Sequence, residues 1–142
     1  MDKLEKISFI IPFNDESELL KPLTRLKLED GASSLKLMMR IGFVGLMPSH
    51  EYHMKIHVLP IHIRLSQGES VQTPNPLQEL ASVQLSTKGT ILGSPYVDGQ
   101  ITVTLDDVSI SAKGIYKIQC HMFDSADLDS SLHTNDSYFT VE

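Results

Sequence analysis

The sequence predicts an all-β fold, an antiparallel β-sandwich of seven to eight strands. Three observations point there. Apolar and polar residues alternate with period two in one segment after another, as they must when successive side chains on a strand point to opposite faces and only one face is buried. The segments are short and bounded by Gly, Pro, Asn and Asp clusters, the spacing of a sandwich or barrel. The length of 142 residues suits a single domain, residues 1–142, that buries about two thirds of its unfolded surface.

The elements follow in order. Ile7, Phe9 and Ile11 alternate in a first segment that ends near Pro12. Over residues 15–26 two readings compete. Asn14-Asp15-Glu16-Ser17 supplies helix caps, and Leu19, Leu20, Leu23 and Leu26 have helical spacing. Pro22 falls inside that window, so a short turn of helix with Pro22 near its start and an extended edge strand through Leu26 and Leu28 are equally compatible with the pattern. Leu35, Leu37, Met39, Ile41 and Phe43 form a cleaner strand, with Lys36 and Arg40 on the other side. Tyr52, Met54, Ile56 and Val58 follow, set against Glu51, His53, Lys55 and His57. After Pro60 the apolar parity moves to Ile61, Ile63 and Leu65, which predicts a bulge or break, because proline cannot donate to a ladder.

Ser66 to Gln78 contains Gly68, Pro74, Asn75 and Pro76 and is expected to be a loop. Ala81, Val83 and Leu85 alternate beyond it, before a turn at Lys88-Gly89. Asp98-Gly99 marks another turn, followed by Ile101, Val103 and Leu105. Tyr116, Ile118, Cys120 and Met122 stand opposite Lys117, Gln119 and His121, and Tyr138 to Val141 is the last strand.

Charge and composition exclude several classes. Twelve Lys and Arg against eighteen Asp and Glu give −6, with no basic footprint for nucleic acid or an anionic membrane. The longest apolar stretch, Ile41 to Met47, is too short and too glycine-rich for a membrane-spanning helix. One cysteine, Cys120, forms no internal disulfide, and Met1 to Lys6 lacks the pattern of a secretory signal, so the expected compartment is the cytoplasm. Asn135-Asp136-Ser137 matches a glycosylation acceptor, a pattern without meaning unless the chain is secreted.

The last third of the chain resembles an immunoglobulin-like or fibronectin-III-like sandwich. Ile101 to Leu105 is similar to strand E, Asp106 to Gly114 to the corner after it, Gly114 to Cys120 to strand F, and Ser137 to Val141 to strand G. Gly114 two residues before Tyr116 resembles a tyrosine corner, whose phenol bonds the backbone of the E to F connection. Ile118 stands where antibody domains place a disulfide cysteine, and there is no tryptophan. The resemblance is therefore one of architecture, similar to small bacterial proteins of unknown function, and such a fold selects no activity by itself.

Candidate chemistry is confined to two segments. His50, His53, His57 and His62 fall close together, but on a strand His53 and His57 lie about 13 Å apart at ~3.3 Å per residue, too far to share one metal without cross-strand partners. Asp124, Asp127 and Asp129, followed by His133 and Asp136, offer hard oxygen donors without the EF-hand spacing. They are expected in an exposed connection between strands F and G, suited to a protein partner with a basic surface. Cys120 falls on the buried parity, where a thiol is inert. Asp106 and Asp107 are adjacent and point apart. No nucleophile elbow, zinc-helix or phosphate-loop motif is present, and no cofactor is expected.

The sequence thus predicts a non-catalytic interaction or assembly module whose contact surface is Asp124 to Asp136 and Ser66 to Gln78. A metal-binding or metal-dependent enzyme using His50 to His62 is the alternative, and a carrier with an apolar pocket between the sheets a third. Open sheet edges make a homodimer through edge strands an expectation.

Overall fold

A computed structural model describes residues 3–13, 24–29, 31–64, 70–71, 79–88, 95–110 and 112–142. The order is β1 (Lys6–Phe13), β2 (Arg25–Leu26), β3 (Ser34–Leu46), β4 (Glu51–Arg64), β5 (Ser70–Val71), β6 (Glu79–Ser86), β7 (Val97–Ser109), β8 (Gly114–Asp124) and β9 (Asp127–Val141). No helix occurs among the described residues. Among the described residues the strands number nine, two of them only two residues long, and the all-β sandwich expected from the sequence is what they build.

One sheet has the order β1-β3-β7, and the other β2-β9-β8-β4-β5, with β6 also on β4. All pairings are antiparallel except β2 on β9. The two sheets match the A-B-E and G-F-C halves of an immunoglobulin-like sandwich.

The core follows from the alternation. Leu37, Met39, Ile41 and Phe43 of β3, Val103 and Leu105 of β7, and Tyr52, Met54 and Ile56 of β4 are buried in one cluster. Tyr116, Ile118, Cys120 and Met122 of β8 join them with Phe139 and Val141 of β9. Both sheets therefore contribute their apolar faces to the same gap. Burial pushes the Cys120 thiol up to about 12, so it stays protonated and unreactive. The phenol of Tyr116 donates to the carbonyl of Ala112, closing the tyrosine corner on the connection before β8.

Several expectations need correction. In β1 the register shifts between Ile7 and Phe9, so burial passes from Ile7 to Ile10 and Pro12, while Phe9 and Ile11 are only partly covered. A bulge reverses facing downstream of it, which a strict period cannot show. Asp98 and Gly99 lie within β7 rather than in a turn, and β7 runs on to Ser109. Asp106 and Asp107 occupy its irregularity, both exposed, between buried Leu105 and Val108. Of Met38, Met39, Met47 and Met54, all expected from their residue type as core filler, Met47 alone is exposed. The shift after Pro60 does occur, between Pro60 and His62. The helix-or-strand segment is described only from Thr24, where Arg25 and Leu26 pair in parallel with Thr140 and Val141. Residues 15–23 and most of the Ser66–Gln78 loop lie outside the described residues.

Candidate functional site

The acidic segment is not a loop. Strand β8 reaches Asp124, a two-residue turn of Ser125 and Ala126 follows, and β9 begins at Asp127 directly opposite Asp124. The expected connection between strands F and G is thus a tight hairpin, and its acidic residues are distributed along a ladder. The sequence concealed this because Ser, Asp and Asn, poor strand formers in isolation, are carried by cross-strand pairing to a buried-faced β8.

The tip has its own geometry. Phe123 pairs with Ser131 and Asp124 with Asp127, so Leu128, Asp129 and Ser130 have no register partner on β8 and form a bulge. Residues 127–131 are all exposed, and Leu128 is 46% accessible. The carboxylate of Asp124 accepts from the Ala126 backbone N–H at 3.0 Å and that of Asp127 from Asp129 N–H at 3.2 Å. Asp124 also meets His50 Nε2 at 2.8 Å. The Ala126 hydrogen bond first, and then His50, hold the Asp124 carboxyl below the usual range. The backbone N–H of Ser125 donates to Glu51 O, tying the turn to β4. Asp127, Leu128 and Asp129 therefore project from an anchored base.

His133 and Asp136, expected beside these acids as contact residues, sit further along β9. The N–H of Ile7 donates to His133 Nδ1 at 2.9 Å, and Asn135 Nδ2 donates to Ile7 O at 3.0 Å. The two side chains thus satisfy the backbone of β1 on its edge away from β3 and join one sheet to the other. Accepting at Nδ1 requires a neutral ring, and burial, followed by the charge of Lys6, lowers the His133 pKa. This bond to β1 is what the structure shows of His133, expected from the sequence as a partner contact. Asn135, the residue of the glycosylation pattern, spends its amide on this bond. Asp136 is exposed and pairs in register with Gln119.

The histidines separate. His53 bonds the Ser82 hydroxyl across to β6. His57 is buried, its Nδ1 has no hydrogen-bond partner among the described residues, and its ring meets His121 edge to face at 5.3 Å. His121 bonds Thr134 Oγ1 at 3.0 Å and Gln119 Oε1 at 3.1 Å, and burial, then His57, lowers its pKa. His50 belongs to the hairpin tip and His62 to the opposite end of β4. No three His, Cys, Asp or Glu side chains converge as metal ligands among the described residues; in particular His53 and His57 are not brought together with Asp124, Asp127 and Asp129.

At the other end of the hairpin lies a cavity of about 410 Å³ lined by Arg25, His62, Lys113, Ile115, Thr140 and Glu142, among others. Arg25 Nη1 meets Glu142 Oε2 at 2.9 Å. The sequence signalled nothing here, because these residues are distant in the chain and meet only through four-strand register. The cavity opens at the strand ends, unlike the pocket between the sheets that a carrier would need.

No protein-family model and no curated protein matches the sequence. Solved structures do resemble the fold. A bacterial adhesin from Mobiluncus mulieris, containing intramolecular disulfide, isopeptide and ester cross-links, superposes with a TM-score of 0.60 at 8% identity over 99% of this chain. The chain spans 58% of that adhesin chain. A PapD-like domain of human CEP192 aligns over 96% of this chain and 85% of its own, with a TM-score of 0.42 and 8% identity. The adhesin likeness places the chain among β-sandwich proteins by fold. No helix among the described residues is long and apolar enough to cross a membrane.

Proposed function

We propose that this β-sandwich is a non-catalytic protein-interaction or assembly module that presents the β8–β9 tip to a partner with a basic surface. One observation carries the reading: an exposed leucine, Leu128, flanked by Asp127 and Asp129, stands on a bulge whose base is tied to β4. An apolar anchor held rigidly among charges loses little freedom on docking and gains both buried area and steering. A cytoplasmic setting accords with the single buried thiol.

The test places a photo-cross-linking amino acid at position 128 in one sample and at Gln100, on the other sheet, in a second. The reading expects one dominant protein adduct from position 128, none from position 100, and loss of that adduct in an Asp127→Lys/Asp129→Lys background. Equal labelling from both positions, or an adduct indifferent to charge reversal, would overturn it.

A further inference from the structure

The hairpin with an acidic apolar tip carries a feature of opposite character at its far end. Arg25 is opposite Thr140, Thr140 opposite Ile115, and Ile115 opposite His62, a row across β2, β9, β8 and β4. This row, with Lys113 beside it, borders the 410 Å³ cavity. Ile115 is 43% accessible, so the cavity combines an exposed apolar side chain with two basic ones, Arg25 and Lys113. Glu142 offsets Arg25 through their 2.9 Å ion pair and leaves Lys113 in excess. In a chain of net charge −6 a cavity of this character stands out, and its volume falls within the range of about 300–1,000 Å³ typical of binding pockets.

The tip is its complement: apolar Leu128 between two carboxylates, against apolar Ile115 between cations. The two features cannot meet within one molecule. Ile115 and Asp124 are nine residues apart on a single strand, about 30 Å at ~3.3 Å per residue. We infer that the Leu128 tip of one copy docks in the Arg25–Lys113 cavity of the next, so that the chain assembles head to tail. This rests on the reading of the tip as a contact surface and names a second copy as its partner. Because the contacting patches differ, the contact is heterologous and propagates into open chains unless its rotation closes a ring. A small contact of this kind is weak and salt-sensitive.

The experiment is sedimentation of the full chain and two variants whose changes are all on exposed positions or the cavity rim. The tip variant is Leu128→Ser/Asp129→Ser and the cavity variant Lys113→Ser/Ile115→Ser; unchanged circular dichroism verifies folding. The wild-type mass should rise above 15.8 kDa between about 10 μM and 1 mM, the range of weak transient contacts, and the rise should shrink in high salt. Each variant alone should remain a monomer. Mixed in equal amounts, they should form a pair of about twice the single-chain mass and stop there, since only one intact tip and one intact cavity remain. A wild type that stays monomeric, a mixture that fails to pair, or variants that associate like the wild type through a strand edge would each overturn the inference. Saturable binding of benzoate by a monomeric wild type would assign the cavity to small organic anions instead. If the wild type is monomeric while position 128 still cross-links a different protein, head-to-tail assembly fails and the interaction reading survives; if both fail, both are wrong.

Discussion

Strands β4 and β8 carry opposite chemistry on their two faces. Inward, Tyr52, Met54 and Ile56 meet Ile118, Cys120 and Met122 in a fully buried layer. Outward, His53, Lys55 and His57 meet Gln119, His121 and Phe123 in a polar one, with the Lys55 ammonium 5.4 Å from the Phe123 ring centre. Apolar contact is non-directional, so the inner face needs only the right residue class at alternate positions. Outer-face polar groups depend on particular partners, such as Thr134 for His121 and Ser82 for His53. Stability should therefore respond to volume on one face and to individual hydrogen bonds on the other.

The largest effect expected is at Ile118, which has no accessible surface. Ile118→Ala should cost about 2–5 kcal/mol in denaturant unfolding. Lys117→Ala, one residue away and facing outward, should stay within about 0.5 kcal/mol. Comparable losses at both would erase the distinction between faces.

His133→Ala should rank next. It leaves the Ile7 N–H without its side-chain acceptor, a loss of about 1–3 kcal/mol if that group stays out of water. The same variant sharpens the comparison, because His133 removes little apolar area. A loss below a few tenths would show that water replaces the ring.

The pattern of expectation and outcome has the same physical root. The inner parity of β4 and β8, the break after Pro60 and the tyrosine corner at Gly114 and Tyr116 were legible because burial imposes period two and proline and tyrosine have few alternatives. The length of β9 was not. Its segment from Asp127 to Asp136 contains no run of apolar residues, and its strand character comes from pairing with β8, a long-range effect. The cation-lined cavity was invisible for the same reason. His133 was expected among contact residues because only its acidic neighbours were apparent; its bond to Ile7 crosses 126 positions of sequence.

A smaller effect should follow pH. His121 and His133 both have folded-state pKa values below the ordinary 6.5, so the unfolded chain takes up protons first as pH falls. Their contribution is present in full above 6.5 and is lost as pH drops through and below it. Unfolding curves should show lower stability at pH 5 than at pH 7.5, a difference reduced by His133→Ala. Stability that rises on acidification would contradict the assignment of these rings as neutral.

The smallest effect is expected at His57. Its buried Nδ1 has no partner among the described residues, so His57→Leu should leave the melting temperature unchanged or slightly higher. A clear fall would identify a polar contact that the ring makes in solution.

Everything proposed for the tip depends on β8 and β9 being one continuous hairpin, and amide hydrogen exchange measures that most directly. The amides of His133 to Val141 that face β8 should exchange slowly, with protection comparable to those of Tyr116 to Met122, while Leu128 to Ser130 exchange fast. Exchange at unstructured rates through Leu132 to Asp136 would contradict the hairpin and, with it, the rigid presentation of the tip.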